Sequence, residues 1–188
     1  MLLKSGVEFG MRPCGLAARD SLRAGAVLPL SHQDIGAWPF INHPWTFALP
    51  FSSDGTRFTK DFVGAKSLLA DNQPEYTYPV VGDNVCKVST PQNAVVLDSD
   101  ETAIGSVLTC VTDMGIGRHQ DKIYSIASPG KPTDFTPHGL CCGFVRVKKK
   151  LNSEQTLFLQ DNRRTIRVRV AKDIRPDRTA RRPINEMV

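Results

Sequence analysis

The sequence predicts an α+β fold in which a mixed helical segment is followed by a small β-barrel or β-sandwich. The chain has 188 residues, of which 40% are hydrophobic and 23% are charged, and this composition is typical of a compact domain with a buried core. Before about residue 75 the apolar residues recur at helical spacing or fall in loops. After that point, short apolar runs alternate with turn-forming residues.

The clearest helical pattern covers residues 15–27. Its apolar residues can share one side, alanine favours helix, and Pro29 ends the segment. Arg19 and Arg23 lie four residues apart and are expected to project from the same face, and Asp20 can pair with Arg23 at the i,i+3 spacing. The residues expected on the shared apolar side are Leu16, Leu22 and Ala26.

Shorter elements follow this helix along the chain. Residues 46–51 have the composition of a strand, and residues 61–70 are predicted to form a short helix with Asp61 as its N-cap. From residue 76 onward, turn signals separate a series of predicted strands. These strands are residues 76–81, 94–97, 103–111, 122–127, 140–147, 156–159 and 165–170.

The last predicted strand has a regular alternation of apolar and basic residues. Apolar side chains occupy one face and two arginines occupy the other, as expected for a half-buried sheet. Many short strands at this spacing are typical of a small barrel or sandwich. The alternating residues are Ile166, Val168 and Val170 on the apolar face and Arg167 and Arg169 on the basic face.

Several classes of protein are disfavoured by the sequence. No run of eighteen apolar residues is present, and the first six residues are too short and polar for a signal peptide, so we expect a cytoplasmic protein. The five cysteines contain no CxxC pair, which disfavours a disulfide framework and a zinc site, and Cys141 and Cys142 are expected to be buried thiols. No P-loop, dinucleotide-binding fingerprint or catalytic triad spacing is present.

The positive charge is concentrated near the end of the chain. The net charge is +5, and most of the excess lies between residues 146 and 182. Such a face can attract nucleic acid, a phosphate or an acidic partner, but charges on a sheet also serve to prevent aggregation between sheet edges. Composition alone favours the solvated edge.

Four segments, in order along the chain, carry a resemblance to a known family. Residues 12–23 read RPCGLAARDSLR and resemble the signature of the glycine cleavage T-protein (aminomethyltransferase) family. Residues 61–66, residues 91–97 together with 104–107, and residues 139–145 resemble later segments of the same family. The ordered set covers nearly the whole chain, so the chain resembles the C-terminal half of such a protein.

The resemblance implies an architecture. Residues 1–75 would be the C-terminal part of the central folate-binding domain, and residues 76–188 would be the C-terminal β-barrel domain, which is antiparallel. The family's N-terminal half, which carries the catalytic aspartate, has no counterpart in this chain. We therefore assign no catalytic residue here, and we expect the chain to be incomplete as a catalyst by itself.

The resemblance also implies a chemistry. Family members transfer an aminomethyl group from the lipoyl arm of a carrier protein to tetrahydrofolate and release ammonia. The matching arginine of the family contacts the folate, so Arg19 is the predicted folate-binding residue, and its guanidinium suits oxygen acceptors. Asp20 and Arg23 are predicted to support the site, and no metal is expected. The implied partners are a lipoylated carrier protein and an N-terminal half, present as a separate subunit or as a missing segment.

The chain departs from the family pattern in ways that indicate a divergent paralogue. Residues 112–122 expand a family turn, either as a long hairpin loop or as a small-anion site that involves Arg118 and His119. The aromatic residues Trp38, Phe40 and Trp45 stand where the family has a different segment, and they could replace a lost aromatic near the folate. Other methyl or methylene donors remain open. The alternative function is a non-catalytic barrel that binds an acidic protein or nucleic acid, although the sequence lacks the aromatic-rich strand typical of nucleic-acid binding.

Overall fold

The computed structural model describes residues 2–38, 40–71, 73–90, 93–175, 179 and 181–186. Its α-helices are α1 (Leu2–Gly6), α2 (Leu16–Gly25) and α3 (Ala65–Ala70). Shorter helical turns lie at Val7–Phe9, Ser31–Ile35, Phe40–Asn42, Thr46–Ala48 and Ile184–Glu186. The strands are β1 (Tyr76–Gly82), β2 (Val95–Leu97), β3 (Ala103–Asp113), β4 (Ile116–His119), β5 (Lys122–Ser125), β6 (Leu140–Val147), β7 (Thr156–Gln160) and β8 (Thr165–Val170).

Six of the strands close into an antiparallel barrel. Its order is β1-β6-β3-β2-β7-β8, and β8 pairs with β1 to complete the circle. Val80 on β1 lies opposite Gly143 on β6 and opposite Val170 on β8. The register of β3 against β6 shifts between Val107 and Thr109, a bulge-like irregularity that bends the barrel wall. The predicted α+β fold is confirmed, and the sheet is a barrel and not a sandwich.

The barrel interior is filled by small and branched apolar side chains from every strand. Because successive residues of a strand point to opposite faces, one face of each strand can supply this core while the other faces outward. The buried interior residues include Val80, Val96, Val107, Cys110, Cys141, Val145, Val147, Leu157, Leu159, Val168 and Val170.

Helix α2 packs on the outside of the barrel, against β3 and β6. Ala24 and Val27 at its C-terminal end are buried against Phe144 and Leu140 in a second apolar cluster. Leu16 and Leu22, which the sequence places on one side of the helix, do not face the core, because 70% and 58% of their surfaces are exposed. The helix is instead rotated so that Arg23 and the small residues Ala24 and Gly25 meet the barrel.

Two local predictions before the barrel are also wrong. Residues 46–51 do not form a strand: Thr46–Ala48 is a 3-10 turn, and Phe51 makes only an isolated bridge with Phe58. Proline at position 50 restricts the preceding residue to extended backbone, which ends the turn without supplying a strand partner. Asp61 does not cap α3, since the helix begins after Gly64, whose φ of 91° is accessible to glycine and strained for other residues.

The expanded segment at residues 112–122 forms a hairpin. β3 extends to Asp113, and β4 then pairs with β5 in a separate two-stranded sheet. The hairpin interpretation is thus confirmed. In this segment the Nε atom of Arg118 lies 3.2 Å from a carboxylate oxygen of Asp83, so the guanidinium already faces an anion of the chain itself. None of the helices in the described ranges is long and apolar enough to cross a membrane.

Candidate functional site

Arg19, the predicted folate-binding residue, projects from the exposed side of α2. Its side chain is 55% exposed, and its contact with a charged group is a 3.3 Å pair between Nη2 and Oδ1 of Asp20. Leu16 and Leu22, one turn before and after Arg19, are exposed on the same side of the helix. The arginine therefore lies at the centre of a partly apolar helix face that the barrel does not cover.

Asp20 connects Arg19 to Arg23. Its Oδ1 accepts a hydrogen bond of 2.8 Å from Nε of Arg23, which is the predicted i,i+3 pair. This hydrogen bond and the neighbouring positive charges hold the pKa of Asp20 below its ordinary value, although partial burial acts in the opposite direction. The aspartate therefore stays ionised and fixes the spacing between the two arginines.

Arg23 lies in a buried polar network between α2 and the barrel. Its Nη1 is 2.6 Å from Oδ2 of Asp34, and its Nη2 donates to the Thr109 hydroxyl at 3.2 Å. Thr109 in turn donates to Oδ1 of Asp34 at 2.6 Å. The Leu30 amide and the Gln33 side chain complete the network, with bonds of 2.9 Å to Asp34 and 3.0 Å to Thr109.

This network explains why Arg19 is exposed and Arg23 is buried, although the two residues lie only four positions apart in α2. Asp34 is fully buried, and an unpaired buried carboxylate is costly, so α2 turns to bring Arg23 inward. Arg19 is left outside, where it is available to another molecule. The contacts of Asp20 and Arg23 fit the supporting role predicted for them, and the folate contact of Arg19 stays a prediction.

Asp34 and Thr109 were not recognised as site residues from the sequence. Asp34 lies in the stretch that continues the family signature after residue 23, so the resemblance contained a signal for it. Thr109 lies on β3, 75 residues away from Asp34, and ordinary strand composition gave no indication of the contact.

Two of the predicted aromatic residues are anchored to the barrel and to the segment that follows α2. The indole Nε1 of Trp38 donates to Thr77 on β1 at 2.9 Å, and the Arg146 guanidinium lies 4.5 Å from the centre of the Trp38 ring. Trp45 donates to the carbonyl oxygen of Val27 at 2.9 Å. These contacts fix the two indoles in place.

His43 is buried beside the same network and stacks on Phe40, with ring centres 5.5 Å apart. Neither ring nitrogen has a hydrogen-bond partner among the described residues. Burial lowers the pKa of His43 to about 4, although the charge of the nearby Asp34 acts in the opposite direction. The imidazole is therefore neutral at physiological pH. The described part of the chain contains no group of three His, Cys, Asp or Glu residues that could hold a metal ion.

The basic residues near the C-terminus are divided among separate contacts. Arg167 and Arg169 both pair with Asp83, Arg175 forms a buried pair with Asp113, and Arg181 pairs with Asp173. Arg178 lies outside the described residues. Each of these four arginines therefore faces a carboxylate of the chain itself, and the single charge of Asp83 is shared by Arg118, Arg167 and Arg169.

The fold and the polar network together define a closed antiparallel barrel that carries an arginine-bearing helix on its wall. No family model matches the chain. An aminomethyltransferase from Corynebacterium aurimucosum is 69% identical over 34 residues, or 18% of this chain. One from Caldanaerobacter subterraneus subsp. tengcongensis is 30% identical over 109 residues, or 57% of this chain and 28% of the relative.

The crystal structure of the glycine cleavage system aminomethyltransferase T from Bartonella henselae has the same fold. The TM-score is 0.57 over 90% of this chain and 41% of that chain, with 23% sequence identity. The chain thus matches less than half the length of these proteins. It is similar to aminomethyltransferases in sequence over about half of its own length and to a glycine cleavage T-protein in fold, which confirms the resemblance that the motifs indicated.

Proposed function

We propose that this chain is the C-terminal portion of a tetrahydrofolate-dependent one-carbon transferase, and that it is not catalytically complete by itself. The proposal rests on the exposed face of α2, where Arg19 lies between Leu16 and Leu22. In this arrangement a further polypeptide segment covers the face, and the folate lies between that segment and Arg19.

The exposed apolar side chains in the first part of the chain support the need for a covering segment. Isolated exposed apolar residues are normal, but several of them in successive elements are typical of an interaction site. Here α1, the turn after it and α2 all expose large side chains, and Arg19 lies between the two on α2. The exposed residues are Leu2, Leu3, Val7, Phe9, Met11, Leu16 and Leu22.

The proposed role of Arg19 follows from its available donors. Its pair with Asp20 is a single contact of 3.3 Å, whereas a guanidinium carries five N–H donors. Folate offers carboxylate and carbonyl oxygens that such a fork can bind in two bonds. The one-carbon donor would arrive on a lipoylated carrier protein, and the missing segment would supply the catalytic carboxylate.

The alternative of a non-catalytic barrel that binds nucleic acid or an acidic protein is the second candidate. Such a module needs uncompensated cations on one face. Arg175 is buried with Asp113 and cannot contribute, whereas Arg167 and Arg169 share the single charge of Asp83 with Arg118 and leave that surface positive. The similarity to aminomethyltransferases in sequence and fold favours the folate proposal over this one.

The proposal is tested by calorimetric titration of tetrahydrofolate into this chain, alone and together with the N-terminal half of one of the aminomethyltransferases described above. We expect binding to appear or to tighten sharply with the second half. In that complex, Arg19→Ala should weaken binding by about 1.5–3 kcal/mol, the scale of hydrogen bonds to charged groups. Arg57→Ala, at an exposed arginine in a loop far along the chain from α2, is the matched control.

Two outcomes would contradict the proposal. If a complete aminomethyltransferase binds tetrahydrofolate under the same conditions and the assembled halves do not, the folate function is absent from this chain. If the halves bind and Arg19→Ala behaves like Arg57→Ala, the site is retained but Arg19 is not its anchor.

A further inference from the structure

We propose that Cys110 and Cys141 form a peroxide-sensitive dithiol in the barrel wall, in which Cys110 is oxidised first and Cys141 then closes a disulfide. This site is separate from the folate proposal, since both thiols belong to the barrel core and not to the exposed face of α2.

The two sulfurs are already close together. Cys110 lies on β3 and Cys141 on the neighbouring β6, and their Sγ atoms are 3.3 Å apart. Cys110 is paired with Gly143 and Cys141 with Thr112, so the cysteines are diagonal neighbours on the same side of the sheet. A disulfide requires a sulfur separation of about 2.05 Å, and diagonal neighbours on paired strands are about 7–8 Å apart, so the bond forms with a local movement of the two strands.

A cavity provides access to one of the two thiols. It has a volume of about 280 Å³, and Cys110 contributes to its lining together with three cations and one carboxylate, which are Lys87, Arg163, Arg164 and Asp161. Cys141 is not among the lining residues and is more deeply buried. A small polar oxidant can therefore meet Cys110 in a positively charged setting, which favours a reactive thiolate.

The surroundings of the two sulfurs differ. The amide N–H of Val88 donates to the Cys110 sulfur at 3.4 Å, whereas either thiol can be the donor in the 3.3 Å contact between the two sulfurs. The contact with Cys141, the Val88 amide and the charge of Lys87 lower the pKa of Cys110, against the effects of burial and of Asp161. Cys110, which lines the cavity and accepts from the Val88 amide, is therefore the thiol that reacts first, and Cys141 is the thiol that attacks the resulting sulfenic acid.

The chemistry balances with hydrogen peroxide as the oxidant. The Cys110 thiolate attacks one peroxide oxygen, an S–O bond forms, the O–O bond breaks, and the departing hydroxide takes a proton to become water. The Cys141 sulfur then attacks the sulfur of the Cys110 sulfenic acid and displaces its hydroxide, which leaves as water with the Cys141 proton. Two thiols are oxidised to one disulfide, and one peroxide is reduced to two molecules of water.

Cys142 is an internal comparison for the pair. It follows Cys141 directly, but its side chain points to the other side of β6 and packs in the cluster between the barrel and α2. Burial raises the pKa of Cys142 to about 12, and the residue does not line the cavity. It should therefore resist peroxide under conditions that oxidise Cys110.

The experiment uses the full chain with the exposed cysteines removed by Cys14→Ser and Cys86→Ser. The folded protein is treated with hydrogen peroxide, unfolded in an alkylating reagent and digested for peptide mass spectrometry. We expect a linked pair of peptides that contain Cys110 and Cys141, lighter by two hydrogen atoms and restored by dithiothreitol, while Cys142 is alkylated. In Cys141→Ser, a sulfenic acid at Cys110 should be trapped by dimedone.

The measurement on the chain that retains both cysteines does not depend on whether a core variant folds. If Cys110 and Cys141 are alkylated to the same extent as Cys142 after peroxide treatment, the dithiol is not reactive and the proposal fails. Dimedone labelling of Cys142 in place of Cys110 would also overturn it, because the cavity would then not select the reacting thiol.

Discussion

The buried carboxylate of Asp34 joins α2, the barrel wall and the segment that follows the helix. It has no exposed surface, and it is surrounded by the Arg23 guanidinium, the Thr109 hydroxyl and the Leu30 amide. These groups come from the helix, from the barrel wall and from the connecting segment. A single carboxylate thereby sets the rotation of α2 and determines which of its arginines faces outward.

The first prediction concerns the cost of leaving this carboxylate without its ion pair. Arg23→Ala should lower the free energy of unfolding by about 3–5 kcal/mol, because it strands a buried charge. Arg19→Ala, in the same helix but with a largely exposed pair, should cost less than about 1 kcal/mol. Urea unfolding followed by circular dichroism measures both values. Equal losses of unfolding free energy in the two variants would show that the buried Asp34 carboxylate does not require its ion pair with Arg23.

The second prediction concerns pH and His43. The pKa of this residue is about 4 in the folded chain, against an ordinary value of 6.5, so the unfolded state binds more protons between these limits. Stability should therefore fall as the pH drops from about 6.5 to about 4, by at most roughly 3 kcal/mol.

His43→Phe retains a ring to stack on Phe40 and should remove most of this dependence, as measured by urea unfolding at a series of pH values. Carboxylates such as Asp20, whose pKa lies below the ordinary value of 3.8, lose their contribution only at lower pH. An unchanged slope in His43→Phe would assign the effect to other groups.

Helix α2 is held to the barrel at its C-terminal end by close backbone contacts. Arg175 makes two hydrogen bonds to Asp113, of 2.7 Å and 2.8 Å, and its amide N–H donates to the carbonyl oxygen of Gly25 at 2.9 Å. A Cβ atom at Gly25 would collide with the Asp113 carboxylate and lie 3.2 Å from Nε of Arg175. The helix can approach the end of β3 this closely because residue 25 has no side chain.

The third prediction follows from this contact. Gly25→Ala should destabilise the chain by about 1–3 kcal/mol, the usual cost of overpacking, despite alanine's higher helix propensity. Gly15→Ala at the other end of α2 meets open space, so it should cost less than about 1 kcal/mol as a poorer N-cap. Thermal unfolding of both variants makes the comparison. A rise in stability for Gly25→Ala would mean that the ion pair moves aside freely.

The elements that the sequence predicted well are those that depend on local patterns. Strand β8 follows from its alternation of valine and arginine, which matches the two-residue period of a strand, and β6 from a short continuous apolar run, which is typical of a fully buried strand. The orientation of α2 has no local signal, because apolar periodicity groups Leu16 and Leu22 whereas a long-range ion pair turns Arg23 toward the barrel. Residues 46–51 have no partner strand, and the local sequence contains no signal from which this could be predicted.

On the scale of the whole molecule, the chain combines a closed barrel with a preceding region whose apolar side chains are partly exposed. The barrel satisfies its own strand pairing and has its own core. The segment before it exposes apolar side chains on α1 and α2 instead of burying them. The contrast fits a protein whose remaining surface is completed by another segment, and it makes the two-component titration of tetrahydrofolate the most informative experiment on its function.

The pairing of β1 with β8 has a consequence for synthesis on the ribosome. Val80 and Val170 are neighbours in the barrel although they are far apart in the sequence. While the chain is being translated, β1 must wait for the last strand, so its outer edge and that of β7 stay open until residues 165–170 have emerged. Unpaired strand edges are templates for aggregation. The interval before residues 165–170 emerge is therefore when the nascent barrel depends most on chaperones.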